Sequence, residues 1–179
     1  MCAFCRVCAC ATDSYVGEPQ DDGSVRPSAF HFAPHASQTS VYMPVICAME
    51  RCPSPLGRGT IRAIDRAAAY WAFRIVKQTI RGLPWDRCLA VIGARQRQWE
   101  SKAAAILDGG GGDEEAVDAV HALAAEIVDD WWAMLDELLL RFGDGWEYEW
   151  DEAKGAARHT PLEYPKGWLE HVGFFEERE

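Results

Sequence analysis

Asp113–Phe142 reads DEEAVDAVHALAAEIVDDWWAMLDELLLRF, and its periodicity decides the fold. Val117, Val120, Ala124, Ile127, Trp131, Met134, Leu135, Leu138 and Phe142 recur at spacings of three and four, which places them on one face of an α-helix. Glu115, Asp118, Glu126, Asp129, Asp136 and Glu137 line the other face. Glu114 and Glu115 stand in the first turn, where the helix dipole favours negative charge. Gly143-Asp144-Gly145 stops the helix. Its 30 residues span about 45 Å. An apolar stripe of that length needs other elements to cover it.

Two further helices are expected upstream. In 84–107, Trp85, Cys88, Leu89, Ile92, Trp99, Ala103 and Ile106 form a stripe. Pro84 suits its first turn, and Asp108 with Gly109–Gly112 ends it. In 60–82, Thr60 is the expected N-cap and Gly82-Leu83-Pro84 the stop. Ile64, Ala68, Trp71, Ala72, Ile75 and Thr79 make its apolar face, opposite Arg62, Arg66, Arg74, Lys77 and Arg81. The expected fold class is therefore all-α: a bundle of three main amphipathic helices at about 60–82, 84–107 and 113–142.

The flanks are less regular. Trp146, Tyr148 and Trp150 alternate with Glu147, Glu149 and Asp151, as a short strand or as aromatics laid over the core. A short helix carrying Trp168, Leu169, Val172 and Phe175 is expected within Lys166–Glu177. Residues 1–57 read as an irregular, Cys- and Pro-rich arm ahead of a helical domain at 58–179. Met43 and Met49 are alternative start positions, so the arm is either a loosely attached segment or translated upstream sequence.

Composition bounds the function. The chain has 179 residues, 49% of them hydrophobic, which argues against a fully disordered protein. No apolar run approaches the ~18–20 residues that cross a bilayer, so no membrane is expected. Seven cysteines is an odd number, and the N-terminus lacks the pattern of a secretory leader. A reducing cytoplasm with free thiols is the reading. The net charge of −10 averages unlike parts: residues 1–60 carry −1, 61–106 carry +6 and 107–179 carry −15.

Several constellations invite chemistry. Cys2, Cys5, Cys8 and Cys10 could hold zinc, but their spacing fits no finger or ribbon, and free thiols are preferred. Glu115-x-x-Asp118 and Glu126-x-x-Asp129 are carboxylate pairs at helical spacing, which suits Mg²⁺. They resemble the acidic pairs of the all-α nucleotide pyrophosphohydrolases, the MazG-like family. That resemblance implies a magnesium-dependent hydrolase, yet the family draws its pairs from facing helices and here both lie on one. A solvated acidic face is the plainer reading. Cys88 lies on an apolar stripe and reads as core. No phosphate loop or nucleophile elbow is present, and no cofactor is expected.

Two surfaces remain. Arg62, Arg66, Arg74, Lys77 and Arg81, interleaved with Tyr70 and Phe73, could grip phosphates and stack on bases. Trp146, Glu147, Tyr148, Glu149, Trp150 and Trp168 could anchor a partner with a basic surface. The leading expectation is a non-enzymatic helical interaction protein whose acidic, Trp-rich C-terminal surface binds a basic protein. A nucleic-acid-binding regulator and the hydrolase are the alternatives.

Overall fold

A computed structural model describes residues 14–15, 28–47, 49–109, 113–143 and 145–162. Of the described residues 57% are helical and 17% are in strands, so the fold mixes helices with two small antiparallel sheets and is not all-α. One sheet holds β1 (Ser14–Tyr15), β2 (Ala29–Phe32) and β3 (Met43–Ile46) in the order β1-β2-β3. The other pairs β4 (Trp146–Asp151) with β5 (Ala156–Pro161). Between them lie a single turn, α1 (Ser54–Gly57), and three longer helices, α2 (Ala69–Thr79), α3 (Trp85–Asp108) and α4 (Asp113–Phe142).

The expected irregular N-terminal arm is corrected by β2 and β3. Ala29 and Phe30 face Ile46 and Val45, and Phe32 faces Met43. Ala29, Met43 and Ile46 are buried, so this sheet supplies core to the helices. Pro44 is tolerated because β3 is an edge strand, where a missing N–H breaks no ladder. Side chains of the helices hold the connecting loop: the Gln96 amide donates to the Ser40 carbonyl at 2.8 Å, and the Trp131 indole to the Thr39 carbonyl at 3.3 Å. Such contacts satisfy carbonyls that no strand reaches.

α4 spans the expected residues, and its expected stripe is the core. Ile127, Trp131, Met134 and Leu138 are fully buried. The Trp131 and Phe73 rings meet at 4.8 Å, which ties α2 to α4. α3 also holds its expected bounds, with Cys88, Ile92, Trp99 and Ala103 inward.

α2 starts eight residues later than Ile61, and its buried face is rotated. Asp65 is the reason. Its Oδ1 accepts the Ala67 N–H at 3.0 Å and its carbonyl accepts the Ala68 N–H at 3.0 Å, so this backbone turns before the helix begins. Arg58 donates to Asp65 Oδ2 at 2.9 Å and, with the Ala67 N–H, holds the carboxyl below its ordinary pKa. Ile61 and Ile64 are left outside, 76% and 58% exposed. Ala69, Ala72, Phe73 and Val76 turn inward instead. The expected helix at Lys166–Glu177 lies outside the described residues.

Candidate functional site

β4 and β5 form a two-stranded ribbon on the end of α4. Asp151 shapes its turn: Oδ1 accepts the Ala153 and Lys154 N–H groups at 3.1 and 3.2 Å, and Gly155 takes the left-handed backbone (φ 58°) the turn requires. Strand alternation then separates aromatics from acids. Trp146, Tyr148 and Trp150 share one face, opposite Pro161, His159 and Ala157. The Trp146 ring meets His159 edge-on at 5.6 Å, and Tyr148 lies against it at 6.1 Å. Trp150 is 63% exposed, and every residue of β5 is exposed. Trp168, the remaining expected anchor, lies outside the described residues.

The acidic face of the ribbon divides into two parts. Glu147 is drawn inward, paired with Arg87 of α3 and with Arg141 of α4 at 3.7 Å. Arg141 also reaches Glu137 at 3.2 Å. Glu137 is held by Arg95 at 2.6 Å, and Arg95 pairs in turn with Asp130. The Trp99 indole donates to Asp130 at 2.7 Å. One chain of charges thus runs across α3, α4 and β4, and Glu147 belongs to it. Glu149 and Glu152 are exposed, with no ion pair among the described residues.

The cations of α2 and of the segments flanking it are placed differently. Arg62 and Arg81 are exposed, and no described carboxylate pairs with Arg62, Arg66, Arg74, Lys77 or Arg81. Arg66 lies over the Trp132 ring at 4.5 Å, and Arg74 over Trp71 at 5.3 Å. Tyr70 and Phe73 are buried at 7% and 0% exposure, so neither offers a ring face to a base. His35 packs edge-on against Tyr70 at 5.9 Å. Burial first, then Lys77 and Arg74, lower its pKa.

Glu115, Asp118, Glu126 and Asp129 are exposed along one side of α4. Glu115 and Glu126 stand eleven residues apart on one helix, about 16 Å. Among the described residues no group of three or more His, Cys, Asp or Glu is placed to hold a metal ion. Cys2, Cys5, Cys8 and Cys10 lie outside the described residues. Burial pushes the Cys88 thiol up to about 11, which keeps it protonated in the core.

Sequence reasoning missed the aliphatic neighbours of this end of the molecule. Leu139 and Leu140 are 45% and 75% exposed. A signal was present: three successive leucines, Leu138–Leu140, cannot all face one core from a helix. His159 was also missed, because Ala156–Pro161 carries no alternation that marks a strand.

No family model, curated protein or solved structure matches this chain. No helix among the described residues is long and apolar enough to cross a membrane.

Proposed function

We propose that the chain is a non-enzymatic interaction protein whose acidic, Trp-rich C-terminal surface binds a basic protein partner. The observation that carries this reading is Trp150, 63% exposed on the aromatic face of the ribbon, with Glu149 exposed on the opposite face of the same strand. A large aromatic held in water on a hydrogen-bonded strand is the kind of residue that dominates interface energies. The net −15 of residues 107–179 would steer a basic partner toward it. Among the described residues Cys47 and Cys88 are free thiols, which fits a reducing, cytoplasmic setting.

Affinity capture from the native host with the intact chain as bait tests this. A basic protein should be recovered. The pair Trp150→Ala and Glu149→Gln should weaken its binding about thirtyfold, as expected for a hot-spot tryptophan. Recovery of the same protein at undiminished yield by the variant would refute the reading.

A second reading has one observation in its favour. The cations of α2 and of the turns flanking it, which pair with no described carboxylate, leave a basic face that could meet nucleic acid phosphates. Binding would then be salt-sensitive and lessened by Arg74→Ala and Arg81→Ala. Absence of a gel shift at low salt would end it.

A further inference from the structure

Two features of the surface remain without a role: a loop that holds isoleucines in water, and a trough between α3 and α4. Both are built features. Loop 58–68 is pinned along its base. The Trp71 indole donates to the Thr60 carbonyl at 2.9 Å, the Trp132 indole to the Arg66 carbonyl at 2.6 Å, and Arg58 pairs with Asp65. Thr60 and Ala63 bridge to each other. From this fixed base Ile61 and Ile64 project at 76% and 58% exposure, with exposed Arg62 between them and Arg66 beyond. A loop held this firmly presents its aliphatic tips in one arrangement, which lowers the entropy cost of docking them.

The trough lies on a different side of α4. Two shallow, solvent-open hollows of about 370 and 240 Å³ adjoin, sharing Ala105, Ile106 and Ala119. Alanines make most of its floor, which leaves space where a larger side chain would otherwise stand. Glu126 lines one hollow and Glu115 the other, with Lys102 bridging to Glu126 at 3.9 Å. Asp118 is exposed on the same stripe of α4. The rim is therefore acidic and the floor small and apolar.

Each surface carries what the other lacks. The loop offers two bulky aliphatics and two arginines. The trough offers two small-floored hollows and an excess of carboxylates. We infer that loop 58–68 of one molecule docks into the α3–α4 trough of a second copy of this chain. Ile61 and Ile64 would enter the hollows, and Arg62 and Arg66 would meet Glu115, Asp118 and Glu126. Two different patches meet in such a contact, so repeated head-to-tail it builds open chains or closes into rings. The proposal is independent of the ribbon and its partner.

Sedimentation velocity on the intact chain, from low micromolar to submillimolar concentration, tests it. The native chain should gain mass with concentration. Ile61→Ser with Ile64→Ser removes the knobs, and Ala122→Arg with Glu126→Arg fills and recharges the trough. All four positions are exposed, so the fold should survive, which circular dichroism checks. Each variant alone should associate at least about tenfold more weakly than the native chain. Mixed, they should form one-to-one dimers and nothing larger, because each still has one intact half. If a double variant fails to fold, Arg62→Glu on the exposed loop provides the same readout. A native chain that stays monomeric throughout overturns the proposal. So does unchanged association in the loop variant, or a mixture that stays monomeric.

Discussion

α2 and α3 come from the same basic stretch of sequence, yet their cations have opposite fates. Arg87 and Arg95 of α3 face the acids of α4 and β4 and close a chain of ion pairs. Arg74 and Lys77 of α2, and Arg81 in the turn after it, meet no described carboxylate, and Arg74 lies over aromatic rings instead. Three of the nine cations of residues 61–106, Arg87, Arg95 and Lys102, are therefore paired within the fold. A segment's charge says little about what it offers a partner until the helix it packs against is known. The same holds for the acids, since Glu147 is internal and its strand neighbour Glu149 is exposed.

Substitutions that touch one side of this contrast should separate cleanly. Trp131→Ala should cost most, about 3–5 kcal/mol in urea unfolding, because it empties the fully buried site where α2 meets α4. Arg95→Ala should cost about 1.5–3 kcal/mol, since it strips a charged donor from Asp130 and Glu137 in a mostly covered setting. Arg81→Ala, on the exposed side, should stay within about 0.5 kcal/mol. If Arg95→Ala and Arg81→Ala unfold at the same urea concentration, the division between internal and available cations is wrong.

The pH dependence sharpens the α2 side. The folded pKa of His35 lies below its ordinary 6.5 because burial, Lys77 and Arg74 disfavour its charged form. The unfolded chain then binds the proton more readily. The stability this histidine contributes is complete above pH 6.5 and declines as the pH falls toward the folded value. His35→Gln should flatten that part of the profile, measured by thermal unfolding across mildly acidic pH. A profile identical in the variant would show that the loop does not press His35 against these cations. This is the smallest effect of the set.

Legibility in the sequence followed length and local periodicity. α4 and α3 are long enough for many turns of one stripe, so their bounds and, apart from the exposed Trp85, their inward faces could be read directly. α2 is short and apolar on two sides, and a helix read from Ile61 starts before Asp65 has turned the chain. That shift put Tyr70 and Phe73 among the surface cations when they belong to the core. β2 and β3 were invisible because four-residue strands around Pro44 carry too little pattern, and their pairing is fixed by helices far along the chain. At the candidate site the aromatic alternation of β4 was legible. Its partner β5, and the capture of Glu147 by Arg87, depend on contacts that no local pattern encodes.

The central claim is that the ribbon is the binding surface and the α2 face is not. Amide hydrogen exchange of the intact chain, alone and saturated with its captured basic partner, tests it most directly. The account predicts slowed exchange across Trp146–Asp151 and Ala156–Thr160, with α2 unchanged. Protection confined to α2, or none on the ribbon, would contradict it.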